Sequence, residues 1–180
     1  MFKLKIKVKI LREGVELPKI IKKGDWIDLS AAEIIEFSGP KANALRRKNT
    51  KNGEDRFRKV EFEPITYIPL GIAAKLPKGF EAVVVSRSST PKRHGIMCAN
   101  AFGVIDNSYC GNKDEWCFPA LPIRKTLIDK SSRIAQFRIQ LSQKATFLQK
   151  LKWFFTNGIE IVEVDNLSNT NRGGLGSTGI

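Results

Sequence analysis

The segment Asn100–Gly111 carries several side chains that could act on a phosphate or a base. Asp106 follows the apolar pair Val104-Ile105, so we expect its carboxylate to be partly buried. A desolvated carboxylate is a candidate general base. The glycine and Asp-Asn pattern is typical of a β-hairpin, and the ring of Tyr109 could lie against a sugar.

Two further segments carry groups that bind phosphate. Ser86–Thr90 follows the apolar run Val83–Val85, and hydroxyls, backbone N–H groups and a guanidinium at a strand end can cradle a phosphate. The same residues also suit an ordinary turn or a helix N-cap. The C-terminal run Asn171–Ile180 combines glycines with Arg, Ser and Thr, as a phosphate-wrapping loop requires. A solvated tail is the other interpretation of that run.

A metal site in this chain should use oxygen ligands. His94 is the single histidine and the chain has no Cys-x-x-Cys pair, which disfavours zinc and favours a hard cation. Asp28 could reach a hydrated magnesium ion, although a lone aspartate is more often structural. Gln136 lies within the apolar run Arg133–Phe137, where we expect it to form a hydrogen bond.

The residue pattern predicts a mainly β protein that positions these segments. Phe2–Ile10 alternates apolar residues with lysines, which is typical of a half-buried strand. Gly- and Pro-rich turns favour an antiparallel sandwich or jelly roll, in a single domain over 1–180. Further short strands are predicted at Ile65–Leu70, Glu81–Val85, Ile134–Gln140 and Ile159–Val164.

Two segments interrupt the strand pattern. Ser38–Val60 (residues 38–60) is rich in Lys and Arg and is expected to be a long mobile insertion. It is either a solvated loop or a binding arm for a nucleic acid or a regulatory protein. Lys144–Phe155 has Phe and Leu at helical spacing, which predicts a short amphipathic helix packed on the domain or, as the alternative, docked on a partner.

Composition limits the cellular context. The three cysteines, Cys98, Cys110 and Cys117, form no disulfide framework, and no run is long and apolar enough to span a membrane. No secretory signal is evident, so a cytoplasmic protein without membrane contacts is expected. The formal net charge of +13 favours a polyanionic partner, either a nucleic acid or a nucleotide.

Together and in this order, the five segments resemble the trimeric dUTP pyrophosphatase (dUTPase) family, from about Lys23 to the end of the chain. The run Gly103–Gly111 is the most specific part of the resemblance. The run Tyr109–Pro119 resembles the version found in Gram-positive bacteria and their phages. The implied fold is the jelly-roll-like dUTPase fold, here with one short amphipathic helix.

The resemblance implies an enzyme that hydrolyses dUTP to dUMP and pyrophosphate. Asp106 would deprotonate the water that attacks the α-phosphorus, and Asp28 would hold Mg²⁺ through a coordinated water. The hairpin would select uracil, Tyr109 would stack on the deoxyribose, and the segment 171–180 would close over the γ-phosphate. A homotrimer is implied, with active sites built from several chains. The implied substrate-binding residues are Arg87, Ser88, Ser89, Asn100, Gly103, Val104, Ile105, Tyr109, Gln136, Arg172, Gly174, Leu175, Gly176 and Ser177.

One motif departs from the family pattern, and two rival functions stay open. The run Arg172–Gly176 is shorter than the usual motif, and Leu175 stands where an aromatic residue usually stacks on uracil. One rival is a dCTP deaminase, possibly bifunctional, for which Glu115 is a candidate catalytic residue. The other is a basic protein of the same fold that binds nucleic acid or protein through 38–60.

Overall fold

The computed structural model describes residues 2–20, 24–45, 57–167 and 170–173. β-Strands are the main regular structure of these residues, as the sequence predicts, and two short helices join them. The helices are α1 (Thr90–His94) and α2 (Phe147–Phe154). The strands are β1 (Phe2–Ile10), β2 (Ile27–Ser30), β3 (Ile35–Phe37), β4 (Lys41–Leu45), β5 (Phe57–Glu61), β6 (Thr66–Pro69), β7 (Ile72–Lys75), β8 (Phe80–Ser86), β9 (Ile96–Cys98), β10 (Gly103–Ile105), β11 (Cys117–Pro122), β12 (Thr126–Ile128), β13 (Arg133–Leu141) and β14 (Thr156–Glu163).

Three sheets share one apolar core. Their strand orders are β10-β8-β13-β2, β14-β1-β7 and β6-β11-β9, and smaller pairs join β12 to β3 and β4 to β5. Apart from the parallel pair β1–β14, the described strand pairs are antiparallel. The buried rings of Phe80, Trp116 and Phe137 lie in the core, where Trp116 meets Phe137 edge to face at 5.2 Å. Burial of these large rings, together with the aliphatic residues around them, stabilises the fold.

Strand β1 confirms the predicted alternation in its middle and departs from it at its start. Leu4, Ile6 and Val8 are buried, whereas the intervening lysines are exposed. Phe2 is exposed, and its ring contacts the ammonium of Lys152.

The interpretation of residues 38–60 as a long loop is wrong for its two ends. Strands β4 and β5 pair in register from Lys41 opposite Glu61 to Leu45 opposite Phe57. Residues 46–56 lie outside the described part of the chain. The high charge of the segment cannot by itself separate a loop from a hairpin.

Helix α2 is shorter than the predicted Lys144–Phe155, and its apolar side does not pack on the domain. Phe147 and Phe154 are 76% and 78% exposed. Trp153 instead contacts Phe80 edge to face at 5.3 Å. The helical spacing of the Phe and Leu residues predicted the helix correctly. The contact with the domain is made instead by Trp153, which lies on the opposite side of the helix.

Helix α1 is a second helix, which begins at the last residue of the segment Ser86–Thr90 and has Ser89 at its N-cap position, as one of the interpretations of that segment predicted. Pro91 lies at its beginning, and Gly95 ends it with a φ of 60°, the left-handed conformation that glycine adopts most easily. Across the described ranges, no helix is both long and apolar enough to cross a membrane.

Candidate active site

A cavity of about 520 Å³ opens beside strand β10. Its volume suits a small ligand such as a nucleotide. Seven of the predicted catalytic and substrate-binding residues line it: Asn100, Gly103, Val104, Ile105, Asp106, Tyr109 and Arg172. Two further wall residues were named from the sequence, Gly173 in the glycine-rich loop and Glu115 as the candidate of the deaminase alternative. The other wall residues were not predicted, and they are Ile65, Tyr67, Val84, Cys98, Ala99, Trp116, Cys117 and Pro119.

The predicted hairpin over Asn100–Tyr109 is not formed. Strand β9 pairs with β11, whereas β10 pairs with β8, with Gly103 opposite Val84 and Ile105 opposite Ala82. The turn between β9 and β10 therefore crosses from one sheet to another. This crossing opens the cavity between the two sheets, and it places the backbone of β10 along one wall.

Asp106 lies directly after β10, at the edge of the cavity. Its Oδ1 accepts a hydrogen bond of 2.8 Å from the backbone N–H of Ser108 and a second from the Ser108 hydroxyl. Its Oδ2 forms an ion pair with the guanidinium of Arg172. Partial burial alone would raise the pKa of Asp106, but the Ser108 hydrogen bonds and Arg172 outweigh it and hold the pKa below the ordinary aspartate value.

Two neighbours fix the backbone around Asp106. The Asn107 amide donates hydrogen bonds of 3.0 and 2.9 Å to the carbonyls of Leu76 and Pro77, so Asn107 has a structural role. The Tyr109 hydroxyl donates to the backbone carbonyl of Glu115 at 2.8 Å. Burial raises the pKa of Tyr109 to about 12, so Tyr109 is a neutral phenol whose ring forms part of the wall.

The thiols in the cavity wall are poor nucleophiles. Burial raises the pKa of Cys98, and burial together with the nearby Glu115 carboxylate raises that of Cys117 to about 11. Both side chains are therefore protonated near neutral pH and act as apolar wall groups. Among the ionisable groups of the cavity, Asp106 is the best placed to accept a proton.

A second cluster of predicted residues surrounds Asp28. Its carboxylate is 12% exposed and forms ion pairs with Arg87 Nε at 2.8 Å and Arg133 Nη1 at 3.1 Å. Gln136 lies between β2 and β8, opposite Asp28 on one side and Val85 on the other. Its amide makes no hydrogen bond within the described part of the chain. Arg133 was missed, although it begins the same segment as Gln136.

The turn before α1 adds hydroxyl groups to this second cluster. Ser88 and Ser89 follow Arg87, and Ser88 is exposed. The buried hydroxyl of Thr90 donates to the backbone carbonyl of Ile134 at 2.7 Å, which ties the turn to β13. The turn is therefore held against the strand that carries Gln136.

The two clusters lie at opposite ends of strand β8. Asp106 follows Ile105, which is opposite Ala82 at the beginning of β8, whereas Arg87 follows the last residue of that strand. The five residue steps from Ala82 to Arg87 span about 17 Å at the rise of a β-strand. Within one chain, therefore, the candidate base and the Asp28–Arg87 cluster face separate regions of the surface.

Asp28 fits the outer coordination sphere of a hard cation. The described residues contain no group of three or more Asp, Glu, His or Cys side chains that could hold a metal by themselves. A single carboxylate can accept hydrogen bonds from metal-bound water, and Mg²⁺ commonly keeps several waters and takes its other ligands from phosphates. The residues present suit a cation that arrives with a phosphorylated ligand.

Glu115 does not match the role proposed for a deaminase. Its carboxylate accepts hydrogen bonds from Arg12 at 2.6 and 2.9 Å and from the backbone N–H of Gly71 at 3.1 Å. These contacts tie the cavity wall to the end of β1. The assignment of Glu115 as a catalytic residue is therefore wrong, and its role is structural.

The predicted glycine-rich loop is described only at its beginning. Arg172 and Gly173 line the cavity. Gly174, Leu175, Gly176 and Ser177 lie outside the described residues, and their predicted roles stay predictions.

The cavity is large enough for a nucleotide and has a carboxylate at its edge, and arginines surround a second carboxylate. These features are typical of a protein that acts on phosphorylated nucleotides. The chain belongs to the dUTPase family, whose sequence model matches residues 58–179. This confirms the resemblance predicted from the five segments.

Individual relatives agree with the family assignment. The chain is 40% identical over 176 residues to the SPbeta prophage-derived deoxyuridine 5′-triphosphate nucleotidohydrolase YosS of Bacillus subtilis, covering 98% of this chain and 99% of that protein. The crystal structure of the dUTPase from Streptococcus mutans matches with a TM-score of 0.58 at 17% identity, covering 78% of this chain and 98% of that one.

A third match is a mutant dUTPase of the Staphylococcus aureus phage phi11, described with a structural Mg(II) ion. It has a TM-score of 0.56 at 15% identity and covers 79% of this chain and 94% of that one. The two structural matches show that this chain has the dUTPase fold.

Proposed function

We propose that this protein hydrolyses dUTP to dUMP and pyrophosphate. The observation that carries the proposal is the position of Asp106, which lies at the edge of a nucleotide-sized cavity on the motif that most resembles the dUTPase family. The full-length similarity to a deoxyuridine 5′-triphosphate nucleotidohydrolase supports the same activity.

Asp106 is proposed to be the general base. Because its pKa is lowered, the carboxylate is ionised at neutral pH and can take a proton from water. The oxygen of that water forms a bond to the α-phosphorus, and the bond from that phosphorus to the bridging oxygen of the pyrophosphate breaks. Arg172 must leave Oδ2 for water to reach it, and we propose that the phosphates of the substrate attract Arg172 away.

The cavity wall is proposed to select the nucleoside. The N–H and C=O groups of β10 can pair with the edge of uracil, and a mismatched base would leave buried groups unpaired. Tyr109 presents its ring to the sugar, where a 2′-hydroxyl would collide with it. Asn100, Val104 and Ile105 complete this part of the wall.

Magnesium is proposed as the cofactor, with Asp28 contacting its coordinated water. When bound, the ion neutralises charge that develops on the phosphates and fixes their conformation. Arg87, Ser88 and Ser89 are proposed to contact the phosphates directly, and Gln136 to donate a hydrogen bond to a phosphate oxygen. Gly174, Leu175, Gly176 and Ser177 are proposed to extend the closure that Arg172 begins.

A homotrimer is proposed because one chain places its two clusters at opposite ends of β8. A second copy that contributes its Asp28–Arg87 cluster to the Asp106 cavity would complete the site. A cytoplasmic location stays a prediction, as does any binding of nucleic acid or a regulatory protein through 38–60.

The direct test is pyrophosphate release from dUTP, dCTP, dTTP and UTP, each with Mg²⁺. We expect release from dUTP and at least a hundredfold slower release from dCTP, because its base would leave buried groups unpaired. Release from UTP and dTTP should also be slower, because the 2′-hydroxyl of UTP would collide with Tyr109 and the methyl group of dTTP adds bulk to the base. Equal rates with dUTP and UTP would remove the proposed role of Tyr109. Ammonia release from dCTP would instead support a deaminase.

A further inference from the structure

Asp114 is a buried carboxylate in the run Tyr109–Pro119, and no role was predicted for it from the sequence. It lies in the segment between Tyr109 and β11 and is 2% exposed. Burying a carboxylate is costly unless hydrogen bonds compensate for the lost water. Its partners therefore indicate what the carboxylate holds in place.

Most of these hydrogen bonds come from the backbone of the C-terminal segment. The N–H of Arg172 lies 3.1 Å from Asp114 Oδ1 and 3.0 Å from Oδ2, and the N–H of Gly173 lies 3.3 Å from Oδ1. The third donor is the N–H of Gly111, at 2.8 Å from Oδ2. One carboxylate thus joins the loop that follows Tyr109 to the residues that carry the Asp106 ion pair.

The same loop approaches the C-terminal segment closely at Asn171. The Oδ1 of Asn171 accepts a 2.8 Å hydrogen bond from the backbone N–H of Lys113. A Cβ placed on Gly111 would lie 2.5 Å from Asn171 Cα, a distance that requires the backbone to move. Glycine is therefore required at position 111 because a side chain would clash with the backbone of Asn171, and the φ angle of Gly111 is not the reason.

We infer that Asp114 is a positioning residue, which holds the backbone of Arg172 and Gly173 and so directs the Arg172 guanidinium into the cavity. The carboxylate acts on the backbone, so it leaves the Arg172 side chain able to exchange Asp106 for the phosphates of a substrate. This inference rests on the proposed roles of Asp106 and Arg172.

The test is a double-mutant cycle with Asp114→Asn and Arg172→Ala, measured as kcat/KM for dUTP. We expect Arg172→Ala to lower kcat/KM at least tenfold and Asp114→Asn to lower it by a similar factor. The double variant should be no slower than Arg172→Ala alone, because both changes remove the same interaction. Multiplied effects, or an Asp114→Asn variant with the native rate, would overturn the inference.

A matched control lies in the same loop. Asn112 contacts Asn166 at 2.8 Å and the backbone N–H of Leu167 at 3.0 Å, so it grips the same C-terminal segment before Arg172. Asn112→Ala should keep kcat/KM within about twofold of the native protein. If Asn112→Ala and Asp114→Asn slow the enzyme equally, the effect belongs to the loop as a whole and the inference fails.

A second readout does not depend on catalysis. Trypsin cleaves after Arg172 only when this backbone is released, so Asp114→Asn should speed that cleavage about tenfold, as expected for loss of a charged hydrogen-bond acceptor. Cleavage after Lys150 in the exposed helix α2 should keep its native rate, which separates local release from unfolding.

Gly111→Ala covers the case in which Asp114→Asn does not fold. It should speed the same cleavage by displacing Asn171, and a native cleavage rate in this variant would overturn the inference. If Arg172→Ala alone has the native kcat/KM, the proposed role of Arg172 fails, and the inference fails with it. If Arg172→Ala is slow and Asp114→Asn is not, the inference fails and the proposed function stands.

Discussion

Replacing Asp106 by Asn removes the proposed base while keeping the shape of the side chain. The amide oxygen can still accept the 2.8 Å hydrogen bond from the backbone N–H of Ser108. The amide cannot take a proton from water near neutral pH. General base catalysis contributes roughly 10²- to 10⁴-fold, so we expect kcat for dUTP to fall by that factor.

The same change should have little effect on folding. The Arg172–Asp106 ion pair lies at the protein surface, with about half of the Asp106 side chain exposed, and exposed ion pairs contribute about 1 kcal/mol or less. The melting temperature should therefore fall by no more than a few degrees. A large rate loss with a small stability loss is the signature expected of a catalytic group.

The assay is pyrophosphate release under saturating dUTP, with Asp25→Asn as the matched control. Asp25 is an exposed aspartate that contacts Arg138 at 3.8 Å and lies outside the cavity, so its variant should have the native rate. Retention of more than about a tenth of the native kcat by Asp106→Asn would refute the reasoning.

Three other perturbations test separate parts of the site. Arg172→Ala should raise the pKa of Asp106, because the guanidinium helps to hold that pKa low. Since the base must be ionised, the acid limb of the pH profile of kcat/KM should move to higher pH, and an acid limb that does not move would exclude Asp106 as its source. Arg12→Ala should lower the free energy of unfolding, measured by urea denaturation, by about 1–3 kcal/mol, because the partly buried Glu115 carboxylate loses a charged partner. An unchanged denaturation midpoint would contradict the structural role of Glu115. Removal of divalent metal with EDTA should abolish pyrophosphate release. Asp28→Asn should raise the Mg²⁺ concentration that restores half of the rate, and a native Mg²⁺ dependence in this variant would exclude the proposed contact of Asp28 with metal-bound water.

Strands β1, β6, β8, β13 and β14 were predictable because their signal is local. The alternation in β1 and the apolar runs of β8 and β13 depend on which side chains face the core, and that periodicity can be read from the sequence. The same reasoning failed for the segment Asn100–Tyr109. A turn pattern cannot show that the strands before and after it pair with different sheets, since that depends on distant β11 and β8.

The candidate site was predictable to a similar extent. Asp106 and Tyr109 stand in a specific motif, and the structure places both at the cavity. Asp114 stands in the run Tyr109–Pro119, but its role carried no signal, because the backbone N–H groups of Arg172 and Gly173 that it holds lie about 58 residues further along the chain. Arg133 was missed for a related reason: its pairing with Asp28 follows from the register of β2 against β13, which local sequence does not fix.

In the proposed trimer, Asp106 of one copy acts with the Asp28–Arg87 cluster of another. Complementation tests it most directly: Asp106→Asn and Arg87→Ala chains, each inactive alone, are unfolded, mixed in equal amounts and refolded together. After random assembly, about a quarter of the sites would contain both an intact Asp106 and an intact Arg87. The mixture should therefore recover about a quarter of the native rate of dUTP hydrolysis. A mixture that stays as inactive as its components, while natively sequenced chains recover full activity after the same treatment, would contradict the account.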